Sequence, residues 1–200
     1  MGRGFIQRSN VLATPNAIKK LVKRLPHAPG YRAAARMCQY LAADSASPAE
    51  TDLALKLHLP PRLGGYGFPP ANLNQPMVLT AEAAAIAHKR VLCPDMLWQR
   101  EKACVEYDSS LYHESKEDRV RDSLKRNALG CMGYSVITVT PSQLTKADEF
   151  HGIALELARN LGIRVRPITQ NALQKRYELN EHIKRRMKLD LTPTEWPYVD

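Results

Sequence analysis

A chain of 200 residues, 44% hydrophobic and 24% charged, has the apolar content for one globular domain with a core, plus extensions. It contains no run of about 18 apolar residues, which excludes a membrane-spanning helix, and its basic start MGRGFIQRSN is followed by no apolar stretch, so no secretory signal is expected. Lys and Arg number 29 against 20 Asp and Glu, a net charge of +9, which points to a polyanionic partner, with a solvated basic surface as the plain alternative.

The elements follow in chain order. Residues 15–25, PNAIKKLVKRL, predict a short amphipathic helix that Pro26, Pro29 and Gly30 break. Residues 31–43 predict a second, Ala-rich helix. SASPAETDLALKLHL reads as a third helix start, with Ser47 as N-cap, Pro48 in the first turn and Glu50 three residues after the cap. Pro60 and Pro61 stop it, and the Gly- and Pro-rich segment 62–76 reads as loop; GGYG at 64–67 lacks the Lys-Ser/Thr of a phosphate loop and is turn chemistry only.

Residues 76–80 and 91–98 are predicted strands, separated by AEAAAIAHK as a helical turn or hairpin arm, and residues 102–108 form a third. A helix is expected over 114–132, with Val120, Leu124 and Ala128 on one face, ended by Gly133. YSVITVT at 134–140 is the clearest strand, 145–161 a further helix and IRVRPI at 163–168 a short final strand. The helix between 102–108 and 134–140 is long enough for a parallel crossover, so the class is α/β or α+β, with a mixed sheet flanked by helices. Cys38, Cys93, Cys104 and Cys131 have no CxxC spacing, which argues against a zinc ribbon. They are expected as reduced thiols of a cytoplasmic protein, mostly packed as small apolar groups.

Acidic residues inside otherwise buried-looking segments carry the chemistry. Side chains alternate along a strand, so Glu106 and Asp108 share a face with Cys104, and Asp95 shares one with Cys93 and Leu97. If Arg100 and Glu101 form a two-residue turn, Asp95 falls opposite Glu106. Three carboxylates crowded on one patch repel unless a cation lies between them, and a hard divalent ion, Mg²⁺ or Mn²⁺, is the natural one for Asp95, Glu106 and Asp108. The plain alternative is three acids facing solvent. Pro94 removes a ladder hydrogen bond and suggests an edge or bulge here.

SPAE at 47–50, PD at 94–95, VEYD at 105–108, DRVRDSLKR at 118–126 and GYSVITVT at 133–140 together resemble the PD-(D/E)xK nuclease superfamily over roughly residues 47–160. They are most like the small branch similar to very-short-patch repair endonucleases, whose members tend to read E-x-D-G…H…D-R-x-R…L…G-Y-x-V. The resemblance implies a restriction-endonuclease-like core in the order helix, three strands, helix, strand. It implies Asp95 as the acid of "PD", Glu106 as the first acid of "(D/E)xK" and Glu50 as the acid from the first core helix. Asp108 stands where the wider superfamily has Lys, Ser109 where the branch has Gly, and His113 one place later than the branch's His.

The chemistry implied is metal-dependent hydrolysis of phosphodiester bonds, with DNA as substrate. In place of the motif Lys, the candidates are Lys116, Arg119, Arg126 and His113 as acid or base. Nucleic acid is expected on the basic ends. Eight Lys or Arg precede the first acid, Asp44; Lys19, Lys20, Lys23 and Arg24 stand among them, and Lys184, Arg185 and Arg186 near the other end, with Arg126 between. The expected organisation is a basic helical extension (1–46), the nuclease-like core (47–168) and a basic tail (169–200). Two rivals remain: a catalytically silent nucleic-acid-binding module of the same fold, and an interaction component of a toxin–antitoxin or phage-defence system.

Overall fold

A computed structural model describes residues 13–108, 116–165 and 169–189. The predicted first helix is α1 (Pro15–Arg24), capped by the Thr14 side chain, and the second is α2 (Tyr31–Met37), continued by a 3₁₀ turn. Neither α1 nor α2 buries a residue. Helix α3 (Pro48–His58) starts as its sequence dictates: Ser47 Oγ accepts the Glu50 N–H at 3.2 Å and Pro48 opens the first turn.

The main sheet has four strands in the order β1 (Asn72–Leu73), β4 (Met96–Trp98), β5 (Ala103–Tyr107), β6 (Ser135–Val139). β1, β4 and β5 run antiparallel in turn; β6 is parallel to β5 and reached through α5 (Lys116–Cys131). The architecture is thus mixed α/β, a small mixed sheet flanked by helices. Gly133, at φ +79°, lets the Tyr134 N–H turn back to the Leu129 carbonyl (3.0 Å) and ends α5 where expected.

One sheet face packs on α3 and α7 (Ala147–Asn160). Leu53, Leu57, Val105, Val139 and Leu157 are wholly buried there, each worth about 2 kcal/mol of burial. The other face, with Leu97 and Cys104, packs on α4 (Ala81–Ala87) and on Ala128 and Leu129 of α5.

Several expectations are corrected. The predicted strand 91–98 is two. β3 (Val91–Leu92) pairs with β2 (Met77–Val78) in a separate ribbon, and the chain breaks at Cys93–Asp95 before β4. Pro94 has no N–H to give the ladder, and the Asp95 side chain accepts the Tyr107 N–H at 2.7 Å instead. The first strand of the main sheet comes from the segment read as loop, because buried Leu73 docks beside Met96. Residues 163–165 form no strand, and 166–168 lie outside the described residues. The predicted helix 145–161 divides at Lys146 into α6 (Pro141–Thr145) and α7. Of the cysteines only Cys104 is buried; Cys93 and Cys131 are exposed. On α5, Val120 is exposed and Leu129 takes the buried place.

The stretch read as a basic tail forms helix α8 (Gln170–Leu189) over its described part; it packs on α3 and buries Ile183. GGYG serves this packing: a Cβ on Gly65 would lie 2.0 Å from the Leu59 carbonyl oxygen, and one on Gly64 would lie 2.3 Å from that of Lys175.

His58, at the end of α3, accepts the Ala71 N–H at Nε2 (3.1 Å) and meets Trp98 edge-on. Burial pushes its imidazole down from 6.5 to about 4. The unfolded chain therefore takes up this proton first, and stability present above pH 6.5 is lost as pH falls toward 4, on the order of 3 kcal/mol in all. In urea unfolding at pH 7 and pH 4.5, His58→Gln should lose markedly less stability than the wild type. The difference between the two proteins isolates His58 from buried carboxyls, whose raised values act with the opposite sign. Parallel declines would assign the acid sensitivity elsewhere.

Candidate active site

The hairpin between β4 and β5 sets the site. Trp98 pairs with Ala103, Leu97 with Cys104 and Met96 with Val105. The Lys102 N–H closes on the Gln99 carbonyl at 3.4 Å, with Lys102 at φ +50°, so Arg100 and Glu101 are the two central residues of the turn. Continued by one residue, this register sets Asp95 opposite Glu106, as the spacing predicts. Alternation puts both on the face that carries Leu97 and Cys104, toward α5.

Glu106 Oε2 is held by Lys125 Nζ of α5 at 2.5 Å, and the two side chains are 13% and 22% exposed. Among the described residues, no donor stands against the buried Glu106 Oε1. Burial, then the neighbouring Asp95 and Asp122 charges, pushes Glu106 up to about 7 against the pull of Lys125. Burial likewise raises Asp95, opposed first by the Tyr107 N–H, and Asp95 lies within hydrogen-bonding reach of Glu106. Two carboxylates hold such a contact only with a proton or a cation between them.

A cleft of about 290 Å³ opens at the carboxyl ends of the parallel pair β5 and β6, lined by Glu106, Tyr107, Asp108 and Thr138 on the sheet side and by Arg119, Asp122, Lys125 and Arg126 of α5. Crevices of this kind lie where strands end and a crossover helix begins. Of the predicted residues, Glu106, Asp108, Arg119 and Arg126 meet in this cleft, and Asp95 stands beside Glu106.

Glu50 approaches from the start of α3, and its charge is felt at Asp95. Its oxygens are taken: Oε1 accepts Ser47 Oγ–H (2.8 Å), and Oε2 accepts the Ala46 N–H (2.8 Å) and Asn74 Nδ2 (2.7 Å). The carboxylate thus ties down the entry to its own helix, holding Ala46 by its N–H and the Ser47 cap by its hydroxyl. The Asn74 N–H also donates to the Asp95 carbonyl at 3.1 Å, so Asn74 braces one acid against the other.

Lys20, Lys23 and Arg24 are exposed on α1 and Lys19 is half-buried there. Lys184 pairs with Glu181 at 3.1 Å, and Arg185 is exposed. These two stand on α8, which packs on α3 and so lies across the sheet from the cleft. His113 and the side chains of Lys116 and Arg186 lie outside the described residues.

Lys125 is the residue that sequence reasoning passed over. One turn past it on the same stripe, Leu129 is buried, and that i, i+4 relation marks Lys125 as facing the sheet.

Among the described residues no group of three or more His, Cys, Asp or Glu is arranged to hold a metal ion. Asp95 and Glu106, with Glu106 Oε1 orphaned among the described residues and a cleft in front of Glu106, fit an ion that takes two protein carboxylates and completes its shell from phosphate and water, the common Mg²⁺ habit. They do not fit a closed three-carboxylate cage. Comparison with known proteins finds no matching family model, no matching curated protein and no matching solved structure.

Proposed function

We propose that the protein is a metal-dependent nuclease that hydrolyses phosphodiester bonds in nucleic acid, DNA first among them, on the restriction-endonuclease-like core its motifs resemble. The observation that carries this reading is the pair of facing acids, Asp95 and Glu106, with Glu106 lining a cleft whose other wall bears Arg119, Lys125 and Arg126 beside Asp122. The order α3, the main-sheet strands β1, β4 and β5, then α5 and β6 supports it as well, with the β2–β3 ribbon and α4 inserted between β1 and β4.

Asp95 and Glu106 would hold a Mg²⁺ or Mn²⁺ ion, which when bound polarises a phosphate and lowers the pKa of an attacking water. The chain's own residues do the rest. The Tyr107 N–H fixes the Asp95 carboxylate, the sheet keeps Glu106 from bulk water, and the α5 cations neutralise and orient a phosphodiester in front of the pair. The test is cleavage of a mixed set of DNA and RNA, single- and double-stranded, with Mg²⁺ and with Mn²⁺. Metal-dependent cleavage of any of them supports the reading.

A second reading, a silent nucleic-acid-binding module, is favoured by one observation: Lys125 already neutralises Glu106. Cleavage of no substrate with any divalent ion, together with firm binding, selects it.

Binding itself is expected to be electrostatic. Each phosphate neutralised on duplex DNA should contribute about −0.9 to the log–log salt slope. Arg126→Gln should weaken binding uniformly across sequences and reduce the slope by about one such unit. Salt-independent affinity, or no binding at low salt, removes the nucleic-acid reading.

A further inference from the structure

We propose that Lys125 is a latch: in the free protein it occupies the carboxylate a divalent ion needs, and a bound phosphate draws it away, so metal and nucleic acid bind cooperatively. This rests on the nuclease reading above and names a regulation of that same site. Lys125 Nζ sits 2.5 Å from Glu106 Oε2, and both side chains are mostly buried. A cation arriving at Glu106 meets an ammonium a few ångströms away, and like charges at that range in a poorly solvated site repel strongly.

Displaced from Glu106, Lys125 still faces a cleft whose α5 wall carries Arg119 and Arg126 beside Asp122, so that once an ion offsets Glu106 the lining carries cations for an anion to meet. A phosphodiester in that cleft offers the ammonium a new partner. Glu106, once released, presents both oxygens, one of which meets no donor among the described residues even in the latched state. Lys125 thus changes partner from carboxylate to phosphate as the ion takes its place. By linkage, whatever the phosphate does for metal affinity the metal does for phosphate affinity. The free protein is kept from loading metal in the absence of substrate, and only the ternary assembly has the full set of charges.

The test measures Mn²⁺ binding directly, by electron paramagnetic resonance of the free ion, on the full chain. In the absence of nucleic acid, Lys125→Met should bind Mn²⁺ about tenfold or more tighter than the wild type, a coupling in the ordinary range for linked sites. A short phosphorothioate DNA duplex should tighten Mn²⁺ binding to the wild type by a comparable factor and to the variant far less. Adding Asp95→Asn to Lys125→Met should abolish the gain, which places the ion at this pair. If the Met variant is poorly folded without metal, Lys125→Gln, which keeps a neutral donor, takes its place with the same expectation. Equal Mn²⁺ affinity in wild type and variant, or equal tightening of both by the duplex, overturns the latch while wild-type cleavage leaves the nuclease reading standing. Failure of every protein to bind Mn²⁺, with no cleavage, overturns both.

Discussion

Glu106→Gln is expected to lower cleavage about a hundredfold while leaving metal-free binding of nucleic acid unchanged or tighter. Gln is nearly isosteric with Glu, so β5 keeps its register, and its amide can still accept from Lys125 and donate toward Asp95, both of which face this position. What is lost is the negative charge that holds a cation. One such electrostatic contact at a reacting phosphate is worth on the order of 3 kcal/mol in the barrier, hence the factor of about a hundred. Affinity moves the other way because an acid that repels phosphate has been neutralised and Lys125 is freed to meet the backbone. The fold is expected to survive: burial already pushes the Glu106 carboxyl up to about 7, so a neutral group escapes that penalty, which offsets the loss of Lys125's counter-charge. The measurement pairs single-turnover cleavage in Mg²⁺ with equilibrium binding in chelator. A variant as fast as wild type makes Glu106 a structural acid. Wild-type protein that cleaves nothing, and binds as the variant does, leaves the silent module.

How much of this was legible in the sequence depends on whether a local rule had a tertiary competitor. The Asp95–Glu106 pairing was readable because hairpin register follows from turn length, and the four residues from Gln99 to Lys102 form the turn that the spacing required. The start of α3 was readable because Ser47, Pro48 and Glu50 obey local capping chemistry. The fate of Glu50 was hidden by equally local bonds: its carboxylate is taken up by the Ala46 N–H and the Ser47 hydroxyl at the entry to its own helix before it can serve a distant site.

β1 was missed because two residues bounded by Pro and Gly carry no periodicity; only the long-range docking of Leu73 beside Met96 makes them a strand. α8 read as a tail because its charge is high, yet it packs through a few positions such as Ile183, with Asn180 reaching the Thr145 carbonyl at 3.1 Å. Lys125 stayed hidden because a lysine on a basic helix is usually solvated. Its partner sits on a strand nineteen positions earlier in the sequence, and only the β5–α5–β6 crossover brings the two together.

The largest stability effect is expected far from the cleft, at Asp52 and Lys56. Both lie on α3, their side chains 7% and 8% exposed, with Lys56 Nζ 3.0 Å from Asp52 Oδ2. The ammonium also donates to the Leu144 carbonyl in the last turn of α6 at 2.7 Å and lies over the Phe150 ring, 5.5 Å from its centre. Burial raises Asp52 and lowers Lys56, each toward its neutral form, and mutual attraction opposes the shift. Asp52 Oδ1 has no partner among the described residues, so the pair is incompletely satisfied there. Lys56→Ala removes the only ammonium bonded to Asp52 among the described residues, leaves that carboxylate buried and frees the Leu144 carbonyl. Breaking a buried pair from one side costs about 3–5 kcal/mol, a large share of the 5–15 kcal/mol typical of a whole domain. The double change Asp52→Leu, Lys56→Met should recover most of the loss, because two apolar side chains of similar size need no partner and Met keeps the stem packed on Phe150. Urea unfolding of the three variants at constant m-value measures this. A loss below about 1 kcal/mol in Lys56→Ala would mean that water reaches the pair and that it behaves as a surface bridge. Metal-free nucleic-acid binding by the folded fraction should not change in any of them, because α3 and α6 lie across the sheet from Glu106.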